Sequence, residues 1–445
     1  MLFQGIIRSL INSASDEMME RMLKDQYNEN LFVMATAAQK LTLRAIIEAS
    51  MRAQSGQVLK RAYGSPNVQS PWEKLFLSPT QLFSLPTDDK SPINTGITIG
   101  KNAKAPLELS MPIMITGMSY GGSLSLKAKI ALAKGATLAG TCTNTGESAL
   151  SNEEREAAKY LIGQYHRGEW MNTEEQLSKL DAIEVQLGQG AWGGAVPSVT
   201  SGEKIDEHLR STWHLNEGED AVLKARLTGV NTTQDIINLL NGLKEKYDVP
   251  VGIKIAATHY IEKELDVILK TNVDYIVIDG AEGGTAVAPP TLEDDMGLPT
   301  LYAIARAAKY LEMKGVKDKY DLIAAGGLKT PGQFLKALAL GANAVYIGSI
   351  ALVAMLQDQS VNATPAEPTP QLVVYDGKLT EDLDIERGAN NLNNFLNSCV
   401  EEMKLALIAM GKTSFSELSI NDLVTVDKDI SDSLGIAYAG LPYLE

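Results

Sequence analysis

Cysteine is nearly absent from this sequence: Cys142 and Cys399 are the only two among 445 residues. So sparse a supply excludes a disulfide framework and any Cys-based zinc motif. Histidine is almost as scarce, and His166, His208, His214 and His259 show no ligand spacing such as HxxxH, so each reads as a surface or packing residue rather than a metal ligand. Positive charge is in deficit. Forty Lys and Arg against 55 Asp and Glu leave a net charge of −15, which repels nucleic-acid phosphate and anionic lipid. No run approaches the roughly 20 apolar residues of a spanning helix. The opening MLFQGIIRSLINSASDEMME lacks the apolar core and basic flank of a signal peptide. A soluble protein of a reducing cytoplasm, acting on a small molecule and without nucleic-acid or membrane partners, is the expectation. Internal repeats and long low-complexity tracts are also missing.

What is present is an alternation of short β-branched runs with longer helical stretches, the pattern of βαβ units around a parallel sheet. Residues 1–60 read as helices ending near Gly56, and 65–106 as an extended arm rich in Pro, Ser, Thr and Asp. Candidate strands are Pro112–Thr116, Leu138–Thr143, Ala182–Leu187, Leu223–Leu227, Pro250–Ala256, Tyr275–Asp279, Asp321–Ala325 and Ala344–Gly348. The fourth, in VLKARLTG, reads equally as a helix end. Eight strands predict an α/β fold, a (β/α)8 TIM barrel, over 107–380. An N-terminal helical and extended arm (1–106) and a C-terminal helical extension (381–445) flank it. Within LQDQSVNATPAEPTP the prolines predict a surface loop, and Leu392–Met410 an amphipathic helix capped by Gly411. In AIEVQL, Ile183, Val185 and Leu187 share one face and Glu184 and Gln186 the other. In VGIKIA, Lys254 points with Gly252 and Ala256.

Several strand ends carry chemistry. Gly326-Gly327 and Gly348-Ser349 follow the last two strands, where bare N–H groups and a helix N-terminus can approach a phosphate; glycines merely closing turns is the bland alternative. Gly283-Gly284-Thr285 offers backbone to a flat ring or a second phosphate edge, or simply turns. Lys254 sits among apolar residues, so its ammonium requires an anion, either a ligand or a structural carboxylate such as Glu184. Asn144, Thr145, Gly146 and Glu147 face the barrel mouth or cap the next helix. Cys142 reads as a buried, inert thiol. A GxGxxG fingerprint after the first strand is missing, which excludes a Rossmann reading.

In order, PIMITGMSYGGSLS, TNTGES, EVQLGQGA, VGIKIA, DYIVIDGAEGGT, GLKTPGQFLKALALGANAVYIGS and ALVAM resemble the FMN-binding synthase domain of glutamate synthase. The similarity extends to SPWEKLFLSPTQLFSLP in the arm and CVEEMKLALIAMGKTSFSEL in the tail, from about Glu29 to about Leu423. It implies FMN, with its phosphate at Gly326, Gly327, Gly348 and Ser349 and its ring near Met118, Ser119, Asn144, Gln189, Lys254, Gly283, Gly284 and Thr285. In that family, reduced FMN passes a hydride to the imine of 2-oxoglutarate and ammonia. The implied chemistry is an FMN-dependent oxidoreductase acting on a C–N bond. Lys254, Glu147 and Gln189 are the catalytic candidates, Trp192 and Glu147 line the substrate, and NAD(P)H or a partner redox protein exchanges electrons. A homo-oligomer is compatible with this reading.

Three departures qualify the resemblance. The chain starts Met-Leu-Phe rather than with the cysteine nucleophile of a glutaminase domain, so any ammonia is expected free or from a partner. After ALVAM the family's cysteine cluster is replaced by LQDQSVNATPAEPTP, so no iron–sulfur cluster is expected. Trp192 stands where the family has a lysine for the substrate carboxylate. Rival readings are a flavin-barrel isomerase similar to the type 2 isopentenyl diphosphate isomerase, and a non-catalytic FMN-binding subunit. A 2-hydroxy-acid oxidase is set aside because DGAEGGT and AAGGLKT carry no His–Arg pair.

Overall fold

The computed structural model describes residues 2–26, 30, 33–362 and 366–443. The centre of the Pro-rich loop, 363–365, lies outside them. The chain forms two compact units, Met1–Lys60 and Arg61–Glu445. The first is helical: Leu2–Lys24, Val33–Leu41 and Leu43–Ser55, the last opened by the Thr42 hydroxyl on the Ala45 N–H and closed by Gly56 in the left-handed region. No helix of the described residues is long and apolar enough to cross a membrane.

The second unit is built on eight parallel strands. They are β1 (Ile113–Ile115), β2 (Thr143–Asn144), β3 (Leu161–Tyr165), β4 (Ala182–Gln186), β5 (Val251–Ala256), β6 (Tyr275–Asp279), β7 (Asp321–Ala325) and β8 (Ala344–Ile347). The sheet order runs β1-β8-β7-β6-β5-β4-β3-β2. The bridge Gly117↔Asn144 and the bond from Ile115 N–H to Cys142 C=O at 3.1 Å join β1 to β2 and close the cylinder. The two faces of the strands separate cleanly. Met114, Ile162, Ala182, Tyr275, Val277, Ile323, Ala344 and Tyr346 pack together inside, whereas Ile113, Ile183, Val185, Ile253, Ile276, Ile278 and Val345 join the helices outside. The antiparallel pair Ile97–Ile99 and Leu107–Leu109 brings Ile99, Leu107 and Leu109 into the inner cluster, and the Gly100 N–H donates to Asp321 at the start of β7 at 2.7 Å. That pair is the floor, so the open end is the carboxyl end of the strands.

Two strand expectations are corrected. Leu138 and Ala139 finish helix α1 (Leu126–Ala139), which Gly140 stops, so the second strand is confined to Thr143–Asn144. Leu223–Leu227 is not a barrel strand: Ala221–Leu223 pairs antiparallel with Ser198–Thr200 in an excursion between β4 and β5. The true third strand is LIGQY, which escapes an alternation test because it is buried almost throughout and puts Gln164 inside and Gly163 outside. A side chain at 163 would collide with Leu180, so the outer face there is filled by a neighbour. The C-terminal helix α4 (Ile385–Ala409) begins seven residues before the amphipathic run read from sequence, at an Asp384 cap accepting from the Arg387 N–H at 3.1 Å. It lies against α1, with Gly135 allowing Leu392 and the Ala389 carbonyl to approach closely.

Candidate functional site

The interior residues of the upper strand turns are polar, and they are paired. Lys254 on β5 is 2% exposed and its Nζ lies 3.0 Å from Asp279 Oδ2 on β6. The partner is therefore Asp279, not Glu184. Burial pulls the Lys254 pKa down, but Asp279, Glu184 and Glu147 more than offset this and hold it above the ordinary lysine value. Glu184 is fully buried and accepts from Gln164 Nε2 at 2.7 Å, Asn144 Nδ2 at 3.1 Å and the Tyr346 hydroxyl at 3.0 Å. Three donors from three strands make a buried carboxylate tolerable. Gln186, one pleat above Glu184 and level with Lys254, has its Oε1 buried without a partner among the described residues. A lone acceptor of this kind calls for an explanation in a ligand or an ordered water.

Around the mouth, the loops brace one another. Glu147 after β2 receives Arg167 after β3, Nη2 at 3.0 Å and Nε at 3.2 Å, and the same guanidinium donates to the carbonyls of Val196 and Lys224. Both side chains are largely buried. Beneath them, Lys129 of α1 donates to the Asn144 carbonyl at 2.7 Å and pairs with Glu154 at 3.0 Å, holding the end of β2 from behind. Burial raises the Glu154 pKa despite Lys129. After β4, Gln189 and Gly194 exchange main-chain bonds at 3.2 Å and present Trp192, whose Nε1 donates to Thr285 Oγ1 at 3.1 Å. The indole donor is thus committed within the protein, leaving its face. Residues 61–63 run along the loop after β6: Arg61 and Ala288 exchange bonds, and the Tyr63 N–H donates to the Thr285 carbonyl at 2.9 Å.

The glycine-bearing ends belong to neighbouring strands. Strands β7 and β8 pair at Ala324↔Val345, and Gly326-Gly327 and Gly348-Ser349 follow the ends of these two strands. Helix α3 (Ser349–Leu356) starts immediately after Gly348. Its Ala351 N–H already donates to the Gly348 carbonyl at 2.9 Å, which leaves the N–H groups of Ser349 and Ile350 at the head of the helix. A Cβ on Gly284 would run into the Ser349 hydroxyl, which places the loop after β6 against the head of α3. Met118 and Ser119 follow β1 at the same end, their backbone in contact with Gly146. The structure therefore gathers Met118, Ser119, Asn144, Glu147, Gln189, Trp192, Lys254, the Gly283–Thr285 segment and the glycine ends of β7 and β8 at one end of the barrel.

Sequence reasoning passed over Arg167, Asp279, Gln164, Gln186 and Tyr346 as site residues. Arg167 went with the unrecognised strand β3; Gln164 and Gln186 carry the detectable signal, an amide in an otherwise apolar strand run. Cys142 is buried and burial pushes its thiol pKa up, in keeping with an inert role. His166 is fully buried with its pKa lowered by burial to about 3, and it packs rather than ligates. Among the described residues no cluster of three or more His, Cys, Asp and Glu suited to a metal occurs.

These features define a (β/α)8-barrel protein with its polar centre at the end where such barrels carry their sites. Residues 54–413 match the conserved region of glutamate synthase, and the chain belongs to that family. It is 36% identical over 320 residues to the archaeal-type glutamate synthase (NADPH) of Thermotoga neapolitana, covering 71% of this chain and 62% of that protein. Against the glutamate synthase large subunit-like protein of Rhizobium meliloti it is 32% identical over 371 residues, covering 78% of this chain and 82% of that one. The chain thus spans less than two thirds of the length of the archaeal-type relatives it matches at 34–36% identity. Among solved structures, a mutant flavocytochrome b2 with benzoylformate superposes with a TM-score of 0.53 at 17% identity, covering 86% of this chain and 83% of that one, a likeness of fold.

Proposed function

We propose that the barrel mouth binds FMN and that the chain is an FMN-dependent oxidoreductase acting on a C–N bond, reducing an imine or oxidising an amine. The observation that carries this reading is Lys254, an ammonium buried in the mouth and held charged by three carboxylates. The residues present fit the cofactor. The N–H groups of the Gly326-Gly327 and Gly348-Ser349 turns and the Ser349 hydroxyl would hold the phosphate, and Gln186 Oε1 is a buried acceptor without a partner. Bound there, FMN would supply a two-electron, hydride-transferring centre. A charged lysine at the ring's pyrimidine edge would favour the reduced state's negative charge, the electrostatic share a protein contributes. Glu147, fixed by Arg167, would orient the nitrogen of the substrate. Trp192 would present an indole face to it, favouring a flat or apolar portion. Relatives named glutamate synthase (NADPH) make NADPH the first electron donor to test, and the flavin-binding domain of baker's yeast flavocytochrome b2 is built on a similar barrel.

The test is an absorbance spectrum of the purified full chain, followed by anaerobic titration with NADPH, NADH and candidate amines. One FMN per chain, bleached by a pyridine nucleotide or an amine, is expected. A colourless protein that cannot be reconstituted with FMN overturns the reading.

A further inference from the structure

The loop after β6 contains a carboxylate beside the proposed anion site. Glu282 lies beside the Gly326-Gly327 turn, and a Cβ on Gly327 would meet the Glu282 Cβ at 2.6 Å. Its Oε2 accepts from the Thr300 N–H at 2.8 Å and from the Thr300 hydroxyl at 2.7 Å, while its Oε1 is buried and without a partner among the described residues. Thr300 is the first residue of helix α2 (Thr300–Met313), whose cap position is Pro299 and carries no side-chain hydrogen bond. Glu282 thus takes the place of the missing cap from the far end of the connection between β6 and this helix, and a carboxylate suits the positive end of a helix. The Thr300 hydroxyl also lies 2.8 Å from the Gly326 carbonyl, so one hydroxyl hydrogen is shared between a carboxylate and that carbonyl.

In a trans peptide the C=O and the following N–H point in opposite directions. Fixing the Gly326 carbonyl toward Thr300 therefore fixes the Gly327 N–H away from it. Gly326 can sit this close only because it lacks a Cβ, which would come within 2.5 Å of the Thr300 hydroxyl. We propose that Glu282 and Thr300 form a latch that aims the Gly327 N–H at the phosphate of a bound flavin nucleotide, making them positioning residues for phosphate recognition rather than for the ring. This rests on the FMN reading above.

The experiment compares FMN and riboflavin, which share the ring and differ in the phosphate. Dissociation constants are measured by flavin fluorescence quenching for the unmodified chain, Thr300→Val, Thr300→Ser and Glu282→Ala, with thermal melts alongside. Glu282→Ala keeps the Cβ that backs Gly327. The expected result is that Thr300→Val and Glu282→Ala weaken FMN about three- to tenfold, the order of one hydrogen bond, leave riboflavin unchanged, and that Thr300→Ser restores FMN binding. Equal weakening of both ligands, or lower melting with an unchanged FMN-to-riboflavin ratio, reduces the pair to a structural cap and overturns the inference. An unmodified chain that binds neither flavin sinks the FMN reading, and the latch with it. A chain that prefers FMN but whose variants keep that preference sinks the latch alone.

Discussion

At the scale of single residues, His166 shows how burial dictates a protonation state. Its Nε2 lies 3.2 Å from the Ser148 carbonyl and its Nδ1 accepts from the Gly168 N–H at 3.1 Å, so both ring nitrogens are satisfied only in the neutral ring with hydrogen on Nε2. With a folded pKa of about 3 against 6.5 unfolded, the unfolded chain carries the extra proton between those values. Stability therefore rises with pH across that window: the contribution is complete above 6.5 and is lost as pH falls toward 3. Going from pH 7 to pH 5, this one group should remove about 2 kcal/mol. His166→Gln should flatten that part of the dependence in urea titrations at the two pH values; an unchanged slope would mean the ring is protonated without penalty. At the other end of the site, Ser349→Asp sets a carboxylate at the head of α3 where the phosphate is proposed. Charge repulsion should strip FMN from the purified protein while riboflavin affinity stays within a few-fold, as read by the flavin absorbance retained after desalting. Full FMN content in that variant would move the phosphate elsewhere.

Elements, more than residues, decided how much was legible in the sequence. Strands β5, β6, β7 and β8 were visible because each is a short, mostly apolar run closed by a turn or a glycine, and their loop glycines pointed to the candidate site. Strand β3 was not, because a strand buried on both faces loses its alternation, and Gln164 and Gly163 made LIGQY look unlike a core strand. VLKARLTG, which overlaps the second strand of the excursion only at Val222 and Leu223, then supplied a substitute eighth candidate with suitable side chains but no parallel neighbour. Arg167 vanished with β3, and Asp279 was hidden because the partner of a buried lysine is fixed by strand order, not by chain distance. Helix packing was equally silent: nothing local announces that Gly135 is a contact. There, a Cβ would meet Leu392 Cδ2 at 2.9 Å and the Ala389 carbonyl at 3.0 Å, so α1 and α4 approach only through glycine. Gly135→Val should cost about 1–3 kcal/mol of unfolding free energy, measured in urea, even though valine is compatible with a helical backbone. A neutral result would show that α4 can lift from α1 without loss.

Over the whole molecule, charge sets the terms on which a substrate enters. The chain carries −15, and at physiological salt its field reaches about 8 Å from the surface. A dicarboxylate must cross that field to a mouth whose lysine is paired with Asp279 and whose Arg167 is paired with Glu147. At position 192, where the family resemblance implies a lysine for the substrate carboxylate, an indole is tied to Thr285. A charge-assisted hydrogen bond from such a lysine contributes about 1.5–3 kcal/mol, or roughly ten- to hundredfold in affinity. The unmodified protein should therefore bind 2-oxoglutarate weakly, with little perturbation of the flavin spectrum, and form glutamate from ammonia slowly or not at all. Trp192→Lys should tighten 2-oxoglutarate binding by about that factor, and the gain should shrink as salt is raised. Because the substitution also releases the loop from Thr285, Trp192→Leu serves as the control: it frees the loop without adding charge and should bring no gain. If Trp192→Leu improves binding as much as Trp192→Lys, the indole acts by occlusion. If the unmodified protein already binds 2-oxoglutarate tightly and turns it over quickly, another cation takes the carboxylate and the argument from Trp192 fails.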